Sequence, residues 1–277
     1  MKKLLLTATM MLLLPFTANA ADIIPTSSLK GPQGKLVQNI IANSVTTKFV
    51  AKQTGGCGEA VATFESATGP VAIIWSNSMY RNSKKANQNC IIKHDEARSV
   101  MQARVPYDIC VTKGVNLVKG TDMAFGNNKF NPQIDQLEDL NTNGLGIEFR
   151  TVTYRGSGPV AAAVGNGDVN IGIIATPSAK KAIEAGSIQC LYSTGSDRYG
   201  QLPMSEFVPG TKLANYNLGM MVFTRNMSKV EHSALVSELE PLEEALIKQD
   251  MFDVKVDLDG ADTQAFIEEA KSLENTN

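Results

Sequence analysis

Backbone amides, more than reactive side chains, are the groups of this 277-residue chain whose spacing suggests chemistry. In Tyr154-Arg155-Gly156-Ser157-Gly158-Pro159 two glycines bracket a serine, directly after a strand-like run and before an apolar helix-like one. Glycines lack Cβ atoms, so a ligand oxygen can approach the main chain, and Pro159 suits a first helical turn, where no N–H is needed. Exposed N–H groups and the positive end of a helix dipole together favour an anion. The competing reading is a turn built only for tightness. The same string fits the dinucleotide fingerprint G-x-G-x-x-A through Ala161, but Ile171 to Pro177 lacks the acidic residue that would hold a ribose.

Side-chain catalysis finds little support. Nucleophilic triads need a supported histidine, whereas His94 lies in the charged run Lys93-His94-Asp95-Glu96 and His232 sits beside Glu231, so both read as solvated. No G-x-S-x-G elbow is present, and Glu238, Glu240, Glu243 and Glu244 are spaced as a solvated helix face. The chain is therefore not expected to be an enzyme or to carry a cofactor. A metal is not expected either: no C-x-x-C pair occurs and only two histidines exist.

Met1 to Ala20 has a basic start at Lys2 and Lys3, an apolar stretch from Leu4 to Phe16, and Ala18 and Ala20 in A-x-A spacing, the pattern of a cleaved secretion signal. Its apolar run is too short to span a bilayer and no later segment suggests one, so the expected address is the periplasm, without membrane insertion. Without those two lysines the chain carries 24 basic against 28 acidic residues, about −4 in net charge, which excludes a nucleic-acid footprint. About 257 residues remain, comfortable for two lobes. Cys57, Cys90, Cys110 and Cys190 form an even set; in an oxidising compartment they allow three connectivities. Cys57 with Cys90 and Cys110 with Cys190 is the favoured pairing, with buried free thiols as the alternative.

The elements that must position the turn alternate between strand and helix, the pattern of an α/β protein with mostly parallel sheets. Strands are expected at 22–25, 48–52, 71–75, 107–112, 147–153, 219–224 and 253–256. Helices are expected at 35–44, from Gly58 to 67, at 132–140, as one stretch over 229–248, and at 262–273. Residues 79–97 read as a polar surface excursion.

Gly165-Asn166-Gly167-Asp168-Val169, Pro177-Ser178 and Ala185-Gly186 follow the turn. Upstream lie Gly31-Pro32-Gln33-Gly34, Thr54-Gly55-Gly56-Cys57-Gly58, Ser76-Asn77-Ser78 and Gly126-Asn127. Together these resemble the substrate-binding receptors of tripartite tricarboxylate transporters, the TctC or Bug family. The resemblance implies a type II periplasmic-binding fold: two α/β lobes joined by two crossover strands, with a ligand cleft between them. Lobe 1 would take 21–111 and 194–277, lobe 2 would take 112–193. It implies a monomeric receptor that holds a small anionic organic ligand and passes it to membrane transporter subunits. A sensing subunit docked on a sensor kinase, or an enzyme using the same cleft, are the alternatives. Carried over by position, ligand contacts would come from Ser27, Ser28, Lys30, Thr54, Gly55, Ser76 and Ser78 in the first lobe. The second lobe would supply Gly126, Asn127, Tyr154, Gly156, Ser157, Gly158 and Thr176. Two departures stand out: Ser27, Ser28 and Lys30 replace a glycine run, and the stretch between Cys110 and Asn127 is short.

Overall fold

A computed structural model describes residues 20–116, 122–128, 148–154, 156–195, 200–207 and 216–275. Most of the expected leader and the helix expected over 132–140 lie outside the described residues.

Val71-Ala-Ile-Ile-Trp-Ser76 is apolar nearly throughout, and a run of that kind belongs in the middle of a sheet covered on both faces. As β3 it lies between β1 (Ala20–Pro25) and β11 (Leu218–Arg225), buried along its whole length. The first sheet runs β12-β4-β11-β3-β1-β2, with β2 at Lys48–Ala51, β4 at Arg98–Val105 and β12 at Phe252–Val256. The second runs β10-β9-β5-β8-β6-β7: β5 is Tyr107–Thr112, β6 Asp122–Asn128, β7 Glu148–Tyr154, β8 Ile171–Ala175, β9 Ile188–Ser193 and β10 Leu202–Pro203. These sheets are mixed, which corrects the expectation of mostly parallel pairing. Strands β1, β2 and β3 pair in parallel, as do β6, β7 and β8, but β4, β5 and β11 run antiparallel to their neighbours. The physical cause is topological. A chain that crosses between two sheets and returns must enter each against the direction of its local β-α-β units.

The crossing falls at Pro106, between β4 and β5. Tyr107–Thr112, read from sequence as the end of the first lobe, pairs in the second sheet, and so does Leu202–Pro203. A buried strand carries no mark of which sheet it joins.

Helices follow the parallel strands. In the first half α1 (Pro32–Asn43) starts with its proline in the first turn, α2 (Cys57–Ser66) follows β2, and α3 (Met79–Ala86) follows β3. This last helix lies in the segment read as a surface excursion, yet Met79, Arg81, Asn82, Cys90 and Ile92 are buried. In the second half α4 (Ser157–Asn166) follows β7 and α5 (Thr176–Glu184) follows β8. Helix α4 approaches the sheet closely, because a Cβ at Gly172 would stand 2.7 Å from Val160 and one at Gly126 would stand 3.2 Å from it. Beyond α6 (Met204–Phe207), the single helix expected over 229–248 is two, α7 (Lys229–Leu239) and α8 (Leu242–Ile247). Pro241 separates them, since its ring and missing N–H cannot continue a helix. The capping box of Ser228 and Glu231 opens α7, and α9 (Gly260–Ser272) closes the fold.

One core cluster runs from α1, α7 and α8 across the first sheet to Tyr107, Ile109, Ile171 and Ile173 of the second. Separate clusters lie beneath α2 and α9, around Trp75, and beneath α4 and α5. Both favoured disulfides form. Cys57–Cys90 ties α2 to the chain after α3, and Cys110–Cys190 joins directly opposite residues of β5 and β9. Each is expected to contribute about 2–4 kcal/mol.

Candidate functional site

The ends of β1 and β3 mark the first sheet's switch point: β1 leads into α1 on one face, while the chain reaches β3 from α2 on the other. Ligand crevices of open α/β sheets form at such points. The loop from β1 to α1 is fixed by its own polar groups. Thr26 Oγ1 donates to the Ile74 carbonyl at 2.9 Å, Ser27 N to Gln33 Oε1 at 3.0 Å, Leu29 N to Gln53 Oε1 at 3.0 Å and Lys30 N to Ser28 Oγ at 3.1 Å. The Lys30 side chain is exposed, while Ser76 and Ser78 are buried and share a 2.9 Å hydroxyl contact, with Asn82 Nδ2 donating to Ser78 Oγ at 3.3 Å.

Across from this loop is the start of α4. Gly156 adopts φ 153° and ψ 170°, a region essentially reserved for glycine. The amides of Ser157 and Gly158 make no hydrogen bond to another described residue. A Cβ built on Gly158 would stand 3.2 Å from the Lys30 carbonyl oxygen, so the first-half loop and the second-half helix start meet at this glycine. Main-chain N–H groups from one half thus open beside a lysine loop from the other. This arrangement can hold an anion.

Several other candidate groups already have a partner within the protein. The Gly55 amide donates to Glu59 Oε2 at 2.6 Å, and Thr54 Oγ1 donates to the Gly56 carbonyl at 3.2 Å. Ser157 Oγ accepts from Ala175 N at 3.2 Å, and Thr176 donates to the Pro106 carbonyl through both N and Oγ1, at 3.0 and 3.3 Å. Gly126 sits within β6 and not at a turn, against Val160, Val169 and the Tyr154 ring. Asn127 follows in the same strand, its backbone opposite Thr153.

Sequence reasoning missed the polar floor at the crossing. Tyr107 stacks on Tyr216 with ring centroids 5.9 Å apart, and both phenols are raised in pKa, chiefly by burial. Asn77 Nδ2 donates to the Asn217 carbonyl at 3.0 Å and to Glu269 Oε1 at 2.8 Å, while Thr194 Oγ1 donates to Asn217 Oδ1 at 2.8 Å. Asp108 is fully buried on β5, and burial pushes its carboxyl up to about 6. The hydroxyls of Ser193 and Thr176 pull it back in part, though no donor among the described residues reaches good hydrogen-bond geometry with either oxygen. A lone acid in the run Tyr107-Asp-Ile-Cys-Val was the available signal. Asp108, Cys110 and Cys190 place potential metal-binding atoms within 4.8 Å of one another, but the two sulfurs are bonded together, which leaves one carboxylate.

His94 also departs from the solvated reading. Its ring stands 5.0 Å from Trp75 and 5.4 Å from Phe223, with both nitrogens buried and without a hydrogen-bond partner among the described residues. Burial, aided by Lys271 and opposed by Asp95, lowers its pKa to about 4.

The architecture has clear counterparts among solved structures. Rpa4515 of R. palustris with adipate is 17% identical and superposes with a TM-score of 0.73, over 93% of this chain and 97% of that one. The fold is that of two-lobed periplasmic binding proteins. MatC from Rhodopseudomonas palustris with bound malate is 15% identical, with a TM-score of 0.68 over 93% of this chain and 98% of that chain. The periplasmic binding protein BugD is 14% identical, with a TM-score of 0.66 over 92% and 94%. No protein-family model matches the sequence, and no curated protein matches it. At such identities the likeness concerns the fold, which agrees with the type II architecture expected from the motifs. Among the described residues no helix is long and apolar enough to cross a membrane.

Proposed function

We propose that this protein is a periplasmic receptor that captures a small carboxylate between two lobes and delivers it to a tripartite tricarboxylate-type membrane transporter. The observation that carries the reading is the start of α4, where the Ser157 and Gly158 amides make no hydrogen bond to another described residue and Gly158 abuts the Lys30 loop of the other half. Closure around the ligand is the mechanism, and it makes no bonds. Each half contributes part of the seat, so the ligand stabilises the closed population, and exclusion of water strengthens its contacts. Lys30 adds a cation at the rim. The structural neighbours that hold adipate and malate support carboxylate as the ligand class. The leader-like N-terminus supports the periplasmic address, and the protein acts as a monomer.

A thermal-shift screen against mono-, di- and tricarboxylic acids, with neutral and cationic compounds as controls, tests the reading. A cognate acid at 100 times its Kd adds about 2.7 kcal/mol of stability. Stabilisation by neutral or cationic compounds alone would overturn it.

A further inference from the structure

Among the described residues, charged groups also tie the two halves where α1 and the turn before β12 meet α5. In the first half, α1 is joined to the turn before β12 by a reciprocal amide pair. Asn39 Nδ2 donates to Gln249 Oε1, and Gln249 Nε2 donates to Asn39 Oδ1, both at 3.2 Å. From that unit Lys35 Nζ donates to the Pro177 carbonyl in the first turn of α5. In the opposite direction Lys180 Nζ of α5 lies 3.4 Å from Asp250 Oδ2, on a residue only 6% exposed. So each half sends a cation to an acceptor on the other.

Asp250 stands among Lys35, Lys180 and Lys181. Burial lowers the Lys35 pKa, Asp250 opposes that fall, and the other two lysines add to it. Without Asp250 three like charges would face one another across the junction. Lys35 also belongs to α1, the helix that follows the Lys30 loop meeting Gly158. A shift of α1 against α5 would disturb cleft and charged contacts together.

We propose that Lys35, Asp250 and Lys180 form an ionic latch that sets the closing angle of the two halves and raises ligand affinity without touching the ligand. They are positioning residues. The affinity part rests on the receptor reading above; the closing angle does not.

Small-angle scattering on the ligand-free protein separates the two. Asp250→Asn should enlarge the radius of gyration, Lys180→Met should do so less, and Asp250→Glu should keep the wild-type value. For an acid that stabilises the wild type, Asp250→Asn should weaken binding about fivefold, the scale of a partly exposed ion pair, and the gap should narrow in high salt. If Asp250→Asn does not fold, Lys180→Met decides. An unchanged radius in the variants that fold, or an equal change in Asp250→Glu, overturns the latch. If no acid stabilises the wild type, the receptor reading fails while the scattering still judges the latch.

Discussion

The glycine turns at Thr54–Gly58 and Tyr154–Pro159 look interchangeable as sequence: each follows a strand, opens a helix and offers amides without Cβ atoms in front. The first is closed by its own chain, because Glu59 reaches back to the Gly55 amide at 2.6 Å. In the second, the Ser157 and Gly158 amides make no hydrogen bond to another described residue, and the Lys30 loop of the first half stands against Gly158. On the proposed reading, a helix start can serve as a ligand seat only when the protein leaves it unfilled. Glycine content does not decide this; the nearest carboxylate does.

The strongest way to break the contrast is Gly156→Val. Its φ of 153° disfavours any side chain, while nothing lies within 4 Å of the added Cβ, so the cost is backbone strain of about 1–3 kcal/mol and not a clash. Titration calorimetry should show acid binding weakened more than about tenfold, as the amides turn out of line. Gly55→Ala should leave binding unchanged. Equal losses at both glycines would mean that the first turn is a seat as well.

Buried titratable groups carry the contrast into stability, with opposite signs in the two halves. Asp108 titrates near 6 against an ordinary 3.8, so the folded state binds the extra proton between those values. Its burial therefore costs stability above about pH 6, a cost relieved as pH falls toward 4. Asp108→Asn should gain about 1–3 kcal/mol at pH 7 and lose that slope in urea melts. In the first half His94 is lowered from 6.5 to about 4, so the unfolded chain takes the proton first and stability is lost as pH falls from 6.5 to 4. Trp75, the one tryptophan of the chain, reports on it directly. His94→Phe should flatten the acid loss in fluorescence-monitored melts at pH 7 and pH 5. A wild-type slope kept in either variant would assign that slope elsewhere.

Much of the fold was legible because its signals are local. The buried run Val71–Ser76 reads as an interior strand, Gly156 to Pro159 reads as a strand-to-helix turn, and both disulfides follow the favoured pairing. Non-local features were not legible. Whether Tyr107–Thr112 pairs with the first or second sheet depends on partners about 65 and 80 residues away, and nothing within the strand encodes them. His94 sits among charges in sequence, yet Trp75 and Phe223 cover its ring only once the first sheet assembles. Gly126 looked like a turn glycine because its other possible role, room for Val160 of α4, exists only in three dimensions. Hydroxyl commitments were equally invisible: side-chain type names a donor, but only the fold shows Thr176 Oγ1 donating to Pro106 and Ser157 Oγ accepting from Ala175 N.

Glu59→Gln gives the smallest effect and the sharpest discrimination. Glutamine keeps the shape and an accepting oxygen but removes the negative charge from the start of α2, so the loss should be about 0.5–1 kcal/mol in a thermal melt. If Glu59 merely caps its helix, the affinity for a stabilising acid will match wild type, and the second turn alone is the seat. If the Glu59 carboxylate instead occupies a place that a ligand's second carboxylate would take, a dicarboxylate will bind Glu59→Gln more tightly than wild type while a monocarboxylate will not. Glu59 is exposed and within one turn of Gly55, the geometry of a local cap, so unchanged affinity is the expected outcome. A gain confined to dicarboxylates would erase the distinction between the two turns and make the first a competing anion site.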